Sequence, residues 1–83
     1  MGAEEAKKLL YKDEYDKTMQ NLKNQYKNET NESEYVRLGL ASYCIRRKMF
    51  DEALNLLNKV GQPQDKEIST QKEKLIKEVT KHS

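Results

Sequence analysis

Tryptophan is absent from this sequence, and phenylalanine, cysteine, proline and histidine each occur once. A lone Cys44 excludes an intrachain disulfide. With His82 also alone, near the end of the chain, the converging His, Cys and carboxylate ligands of a metal centre are missing. The three glycines, Gly2, Gly39 and Gly61, stand too far apart to form a phosphate-cradling loop. No long hydrophobic run exists either. The longest apolar stretch, residues 38–45, is interrupted by Gly39, Ser42 and Tyr43, against the ~20 residues that a membrane-spanning helix requires. Lys7 and Lys8 follow the first residues with no hydrophobic region behind them, so a signal peptide is not expected. Ala6 stands where a myristoylation pattern wants Ser or Thr. The sequons Asn28-Glu29-Thr30 and Asn31-Glu32-Ser33 then read as products of an Asn-rich loop, and a cytoplasmic location is expected. Finally, charge of one sign is missing. Sixteen Lys and Arg face fourteen Asp and Glu, for a net charge of +2. Such balance argues against a self-repelling disordered tail and against nucleic acid, whose binding draws on an excess of cations facing phosphates.

What the sequence does contain is helical periodicity. Eighty-three residues make one domain, 1–83, with a narrow margin of burial. Of these residues 35% are hydrophobic and 36% are charged, so each apolar residue must be well placed. Tyr11, Tyr15, Met19, Leu22 and Tyr26 recur at steps of four, four, three and four, one continuous stripe that predicts a helix over about 3–27. The loop of residues 28–33 supplies an N-cap from Thr30, Asn31 or Ser33 for a second helix over about 32–47. A third helix, about 50–60, carries Ala53, Leu54, Leu56, Leu57 and Val60, with Asp51 as its expected cap. Gly61 is expected at its C′ position, followed by Pro63. A fourth helix, about 65–81, has Ile68, Leu75, Ile76 and Val79 on one side and a polar middle that belongs on the outside. No segment alternates with period two, so the fold class is all-α: a four-helix antiparallel array without strands.

Leu40, Ala41, Cys44, Ile45, Phe50, Asp51, Glu52, Ala53, Leu57 and Val60 carry more specific information. Over about 34–66 they resemble the tetratricopeptide repeat (TPR), a helix–turn–helix of 34 residues. The resemblance implies that Ala41 and Ala53 let the two helices approach closely, while Leu40 and Leu57 fill the space between them. Phe50 matches the aromatic position in the turn. The chain departs from the family at Lys48, where Gly is preferred, at Cys44, where Tyr is frequent, and at Pro63, which comes early. The flanking segments match poorly, so one repeat sits between two other helices.

The resemblance implies a protein-binding adaptor. Tyr35, Leu38, Ser42, Ile45 and Arg46 match the family's groove face and form the expected partner-binding set, suited to a helix or an apolar peptide. Arg46 alone matches the basic pattern of members that clamp a carboxylate. No cofactor is expected and no enzyme activity. The carboxylate neighbours Glu4/Glu5, Asp13/Glu14 and Asp51/Glu52 point in different directions on a helix, and no nucleophile has a base in evident reach. Two other readings stay open. One is a helical nucleic-acid-associated protein using Arg46, Arg47, Lys48 and the lysines of the last helix. The other is a self-associating assembly subunit using the Tyr11–Tyr26 stripe as a seam. Cys44 reads as a buried small hydrophobe, and Tyr11, Tyr15 and Tyr26 as core-edge residues with wet hydroxyls.

Overall fold

A computed structural model describes residues 2–61 and 65–82. Among them the chain is all-helical: α1 (Ala3–Leu10), α2 (Lys12–Gln25), α3 (Glu32–Arg46), α4 (Phe50–Lys59) and α5 (Lys66–His82), with no strand. The expected break at residues 61–64 falls largely on Gln62, Pro63 and Gln64, which lie outside the described residues.

Residues 47–49 join α3 to α4 in a helical hairpin, and the hairpin holds most of the core. Ala41, Cys44, Ala53 and Leu57 are completely buried, with Leu38, Leu40, Tyr43, Met49, Leu56 and Val60 around them. Ala41 and Ala53 bring only a methyl group each to the region where α3 meets α4, which is what close helix packing requires. The turn itself contains the one non-glycine residue with positive φ among the described residues, Lys48 at 60°. That left-handed step lets the Met49 N–H return to the Cys44 carbonyl at 2.8 Å, closing the end of α3.

The other helices attach to this hairpin. Tyr15, Met19 and Leu22 of α2 pack on the core from one side. At Gly39 the missing Cβ is used: a methyl built there would lie 2.7 Å from both Leu22 methyl carbons, so Leu22 rests directly on the backbone of α3. From the other side α5 contributes the buried Ile68 and Val79, with Leu75 and Ile76 packed against the core. Of its polar middle, Thr70, Gln71, Glu73 and Lys74 are exposed, whereas Ser69 and Lys72 are half-buried against the rest of the fold. Asp65 caps α5 through Oδ1, which accepts from the Glu67 N–H at 2.9 Å.

Three local expectations are corrected. The helix expected over 3–27 is two helices, because Tyr11 leaves helical geometry (φ −100°, ψ 12°) and turns α1 away from the axis of α2. No Pro or Gly stands at this break, so its cause lies in contacts made elsewhere in the fold. Asp51 does not cap α4, and Asn31, at the N-cap of α3, makes no side-chain cap bond. The N-terminus of α4 is instead closed by Glu4, whose Oε1 and Oε2 accept from the N–H groups of Asp51 (3.0 Å) and Glu52 (3.1 Å). Gly61 lacks positive φ, and Val60 before it is already extended. The last carbonyls of α4 are satisfied by side chains: Arg37 Nη1 donates to Lys59 O at 3.2 Å, and Lys72 Nζ to Val60 O at 2.8 Å.

The strained turn yields a direct test. Lys48→Gly relieves a left-handed residue at a position exposed to solvent. We expect denaturant unfolding to show a gain of up to about 1 kcal/mol, the relief exceeding the greater chain entropy of glycine. A loss of similar size would contradict the turn geometry.

Candidate functional site

An opening with a mixed polar and apolar lining lies on α3, between the end of α2 and α5. It is a cleft of about 350 Å³, lined by Tyr26, Tyr35, Leu38, Gly39, Ser42, Gln71, Lys74 and Leu75. Helical spacing puts Tyr35, Leu38, Gly39 and Ser42 on one side of α3, and Gln71, Lys74 and Leu75 on one side of α5. Tyr26 stacks on Tyr35 with ring centroids 4.9 Å apart and planes 12° from parallel, forming one wall. The Tyr35 hydroxyl donates to Asp65 Oδ2 at 3.4 Å. Burial and the nearby Asp65, Glu67 and Glu29 carboxylates push the Tyr35 phenol above its ordinary value, so it stays a neutral donor. One aspartate thus caps α5 and fixes the wall of the cleft.

Of the five residues expected to meet a partner, the structure brings Tyr35, Leu38 and Ser42 together in this cleft. Leu38 is buried and belongs to its floor, whereas Tyr35 and Ser42 are half-buried. Ile45 and Arg46 lie one turn farther along α3 and are not among the lining residues. Ile45 is half-buried and packs on the core, whereas Arg46 is exposed. Reasoning from the sequence misses Tyr26, Gly39, Gln71, Lys74 and Leu75. The 71, 74, 75 spacing is visible in the sequence, but nothing local says which partner helix that side faces.

A second, polar constellation lies where α2 crosses the end of α3. Glu14 Oε1 accepts from the Tyr43 hydroxyl at 2.8 Å and from Arg47 Nε at 3.0 Å, with Arg47 Nη2 also bound. The Arg47 guanidinium lies over the rings of Tyr11, 5.0 Å from the centroid, and Tyr43, at 5.7 Å. Tyr15 meets Tyr43 edge-on at 6.2 Å. The central member of the basic run Arg46-Arg47-Lys48 is therefore engaged within the molecule. The Tyr43 hydroxyl and the Arg47 guanidinium hold the Glu14 carboxyl below its ordinary 4.5.

Cys44 is completely buried, and burial, aided by Glu52 and Glu4, pushes its thiol up to about 12. It is a protonated core residue at neutral pH, with little nucleophilic character. Nearby, burial raises the Tyr15 phenol to about 12. His82 is exposed but stacks on Phe50, with centroids 5.6 Å apart. Among the described residues no group of three or more His, Cys, Asp or Glu is placed to hold a metal ion, and no helix is long and apolar enough to cross a membrane.

The Glu14 contacts set a pH dependence with a definite sign. A carboxyl whose value is lowered by folding contributes stability above its unfolded value, and that stability disappears as pH falls through the folded value. The melting temperature of Glu14→Gln should therefore lie below that of the parent at pH 7, and the gap should close as pH drops below about 4.5. Thermal denaturation followed by circular dichroism from pH 7 to pH 3 measures it. A gap that stays constant over this range would contradict the role given to Glu14.

In comparisons with known protein families, curated proteins and solved structures, this chain has no significant match.

Proposed function

We propose that the chain is a TPR-like protein-interaction module, and that the cleft on α3 receives an apolar or helical segment of a protein partner. The observation carrying this reading is the meeting of Tyr35, Leu38 and Ser42, named by the repeat pattern, with an opening that Tyr26, Gln71, Lys74 and Leu75 complete. The chemistry suits a peptide. Leu38 and Leu75 offer an apolar floor, the tyrosine pair a rigid wall, and Ser42, Gln71 and Lys74 donors for a ligand's backbone or carboxylate. A volume of about 350 Å³ holds a few anchoring side chains, not a whole helix, so a partner helix would lie across the opening and insert its anchors.

The turn gives independent support for the repeat reading. Lys48 adopts the left-handed conformation that glycine favours, at the position where the family carries glycine. Ala41 and Ala53 are fully buried, as the small residues of such a hairpin would be. The antiparallel array of the family is part of the same proposal.

Ser42→Lys places a long charged side chain in the cleft, and Tyr35→Ala removes half of its wall. Ser42 is half-buried and outside the core cluster, so the melting temperature of Ser42→Lys should change little. Tyr35→Ala also loses the stack on Tyr26 and the Asp65 bond, and should melt somewhat lower while staying folded. Affinity for a partner recovered from the source cell should fall at least about tenfold for each variant, the scale of a hot-spot loss. Parent-like affinity in both, with the fold intact, would remove the cleft as the site.

A further inference from the structure

α1 is attached in an unusual way. None of its residues is buried, and Leu9 and Leu10 are 66% and 74% exposed. Three polar or aromatic contacts anchor it and the Tyr11 elbow. Glu4 accepts two backbone N–H bonds at the start of α4. Lys8 Nζ lies 3.0 Å from Glu52 Oε2. The Arg47 guanidinium covers Tyr11. Beneath the elbow is a gap of about 170 Å³ lined by Lys8, Tyr11, Lys12, Tyr15, Met49 and Glu52, so the corner is not filled by side chains.

The elbow is also weakly encoded. Tyr11 needs to move only from φ −100°, ψ 12° to ordinary helical angles near −63°, −42° for α1 and α2 to run on as one helix. The apolar stripe continues through Tyr11 without Pro or Gly, and the Tyr11 and Tyr15 N–H groups already bond the carbonyls four residues earlier, each at 2.8 Å. Eight residues cannot hold a helix on their own in water. If α1 leaves α4, it therefore survives by extending α2, carrying Glu4 and Lys8 away from Asp51 and Glu52.

We infer that α1 is an exchangeable arm, and that the start of α4 accepts α1 from a second copy of the chain in a two-fold dimer. The second copy is the occupant the structure specifies: α1 is a segment shown to satisfy this surface, with a carboxylate for the helix N-terminus and an ammonium for Glu52. Exchange keeps those contacts and moves them between chains, which makes swapping an easy route to a dimer. It also removes the bend at Tyr11. This inference is independent of the cleft on α3, which the exchange leaves open.

Charge reversal separates the two arrangements. A chain carrying K8E has like charges at the α1–α4 contact, both within itself and in a dimer of its own kind. The same holds for a chain carrying E52K. Mixed one to one, the two chains mismatch within themselves. Between chains, one contact pairs Lys8 with Glu52 as in the parent and the other pairs the two reversed residues, so one dimer regains opposite charges only where the arm of one variant meets the α4 of the other. In the mixed dimer the K8E arm meets the E52K chain's α4, and the E52K chain's Lys8 meets the K8E chain's Glu52, so both contacts match. Sedimentation velocity, run from micromolar to several hundred micromolar, should show a mixed dimer at least about tenfold tighter than either variant's own, two surface ion pairs having changed sign. Adding Tyr11→Pro to both chains should abolish it, since a proline cannot continue the α1–α2 helix. A mixture that remains monomeric over this range overturns the inference, as does a mixed dimer that survives Tyr11→Pro.

Discussion

The close approach of α3 and α4 is the constraint on which the other elements depend. All but Ile68 and Val79 of the buried hydrophobic residues lie between Val36 and Val60, within the hairpin and its turn. In a chain with barely a third of its residues hydrophobic, this concentrates the burial that drives folding into one unit. Fully buried alanines allow the approach, Leu57 and Met49 fill the space beside them, and α2 and α5 cover opposite sides. The cleft is a by-product of this arrangement. It opens where neither covering helix fully closes over α3.

Polar side chains complete what burial leaves open, and they do so at the helix ends. α4 is closed at its start by Glu4 and at its end by Arg37 and Lys72, all from other parts of the chain. Asp65 serves both α5 and Tyr35, and Glu14 joins α2 to Tyr43 and Arg47. The near-equality of acidic and basic residues thus has a structural use beyond solubility. Several of these pairs are half-exposed, so each adds little stability alone. Together they fix where the peripheral helices sit.

Legibility in the sequence follows the range of the forces involved. The hairpin is readable because its periodicity, its small residues and the Phe50-Asp51-Glu52-Ala53-Leu54 start all lie within one local stretch. The start of α5 near Asp65 is readable for the same reason. The elbow at Tyr11 is not. The spacing of Tyr11, Tyr15, Met19, Leu22 and Tyr26 favours one helix, and the contacts that bend it come from Arg47, Asp51 and Glu52. Local reasoning likewise points to Asp51 as the cap of α4, whereas the carboxylate that serves is Glu4, remote in sequence. The α3 side of the cleft is partly legible through Tyr35, Leu38 and Ser42. Its α5 side is not, because which way one helix faces another is a tertiary property.

Native-state amide exchange tests the central claim, that the α3–α4 hairpin is the stable unit and the arm is held on by polar contacts. Amides in the middle of α3 and α4 should exchange only through global unfolding, with the largest protection in the chain. Those of α1 should exchange at least about a hundredfold faster, through local opening. Equal protection in α1 and α3 would contradict the account.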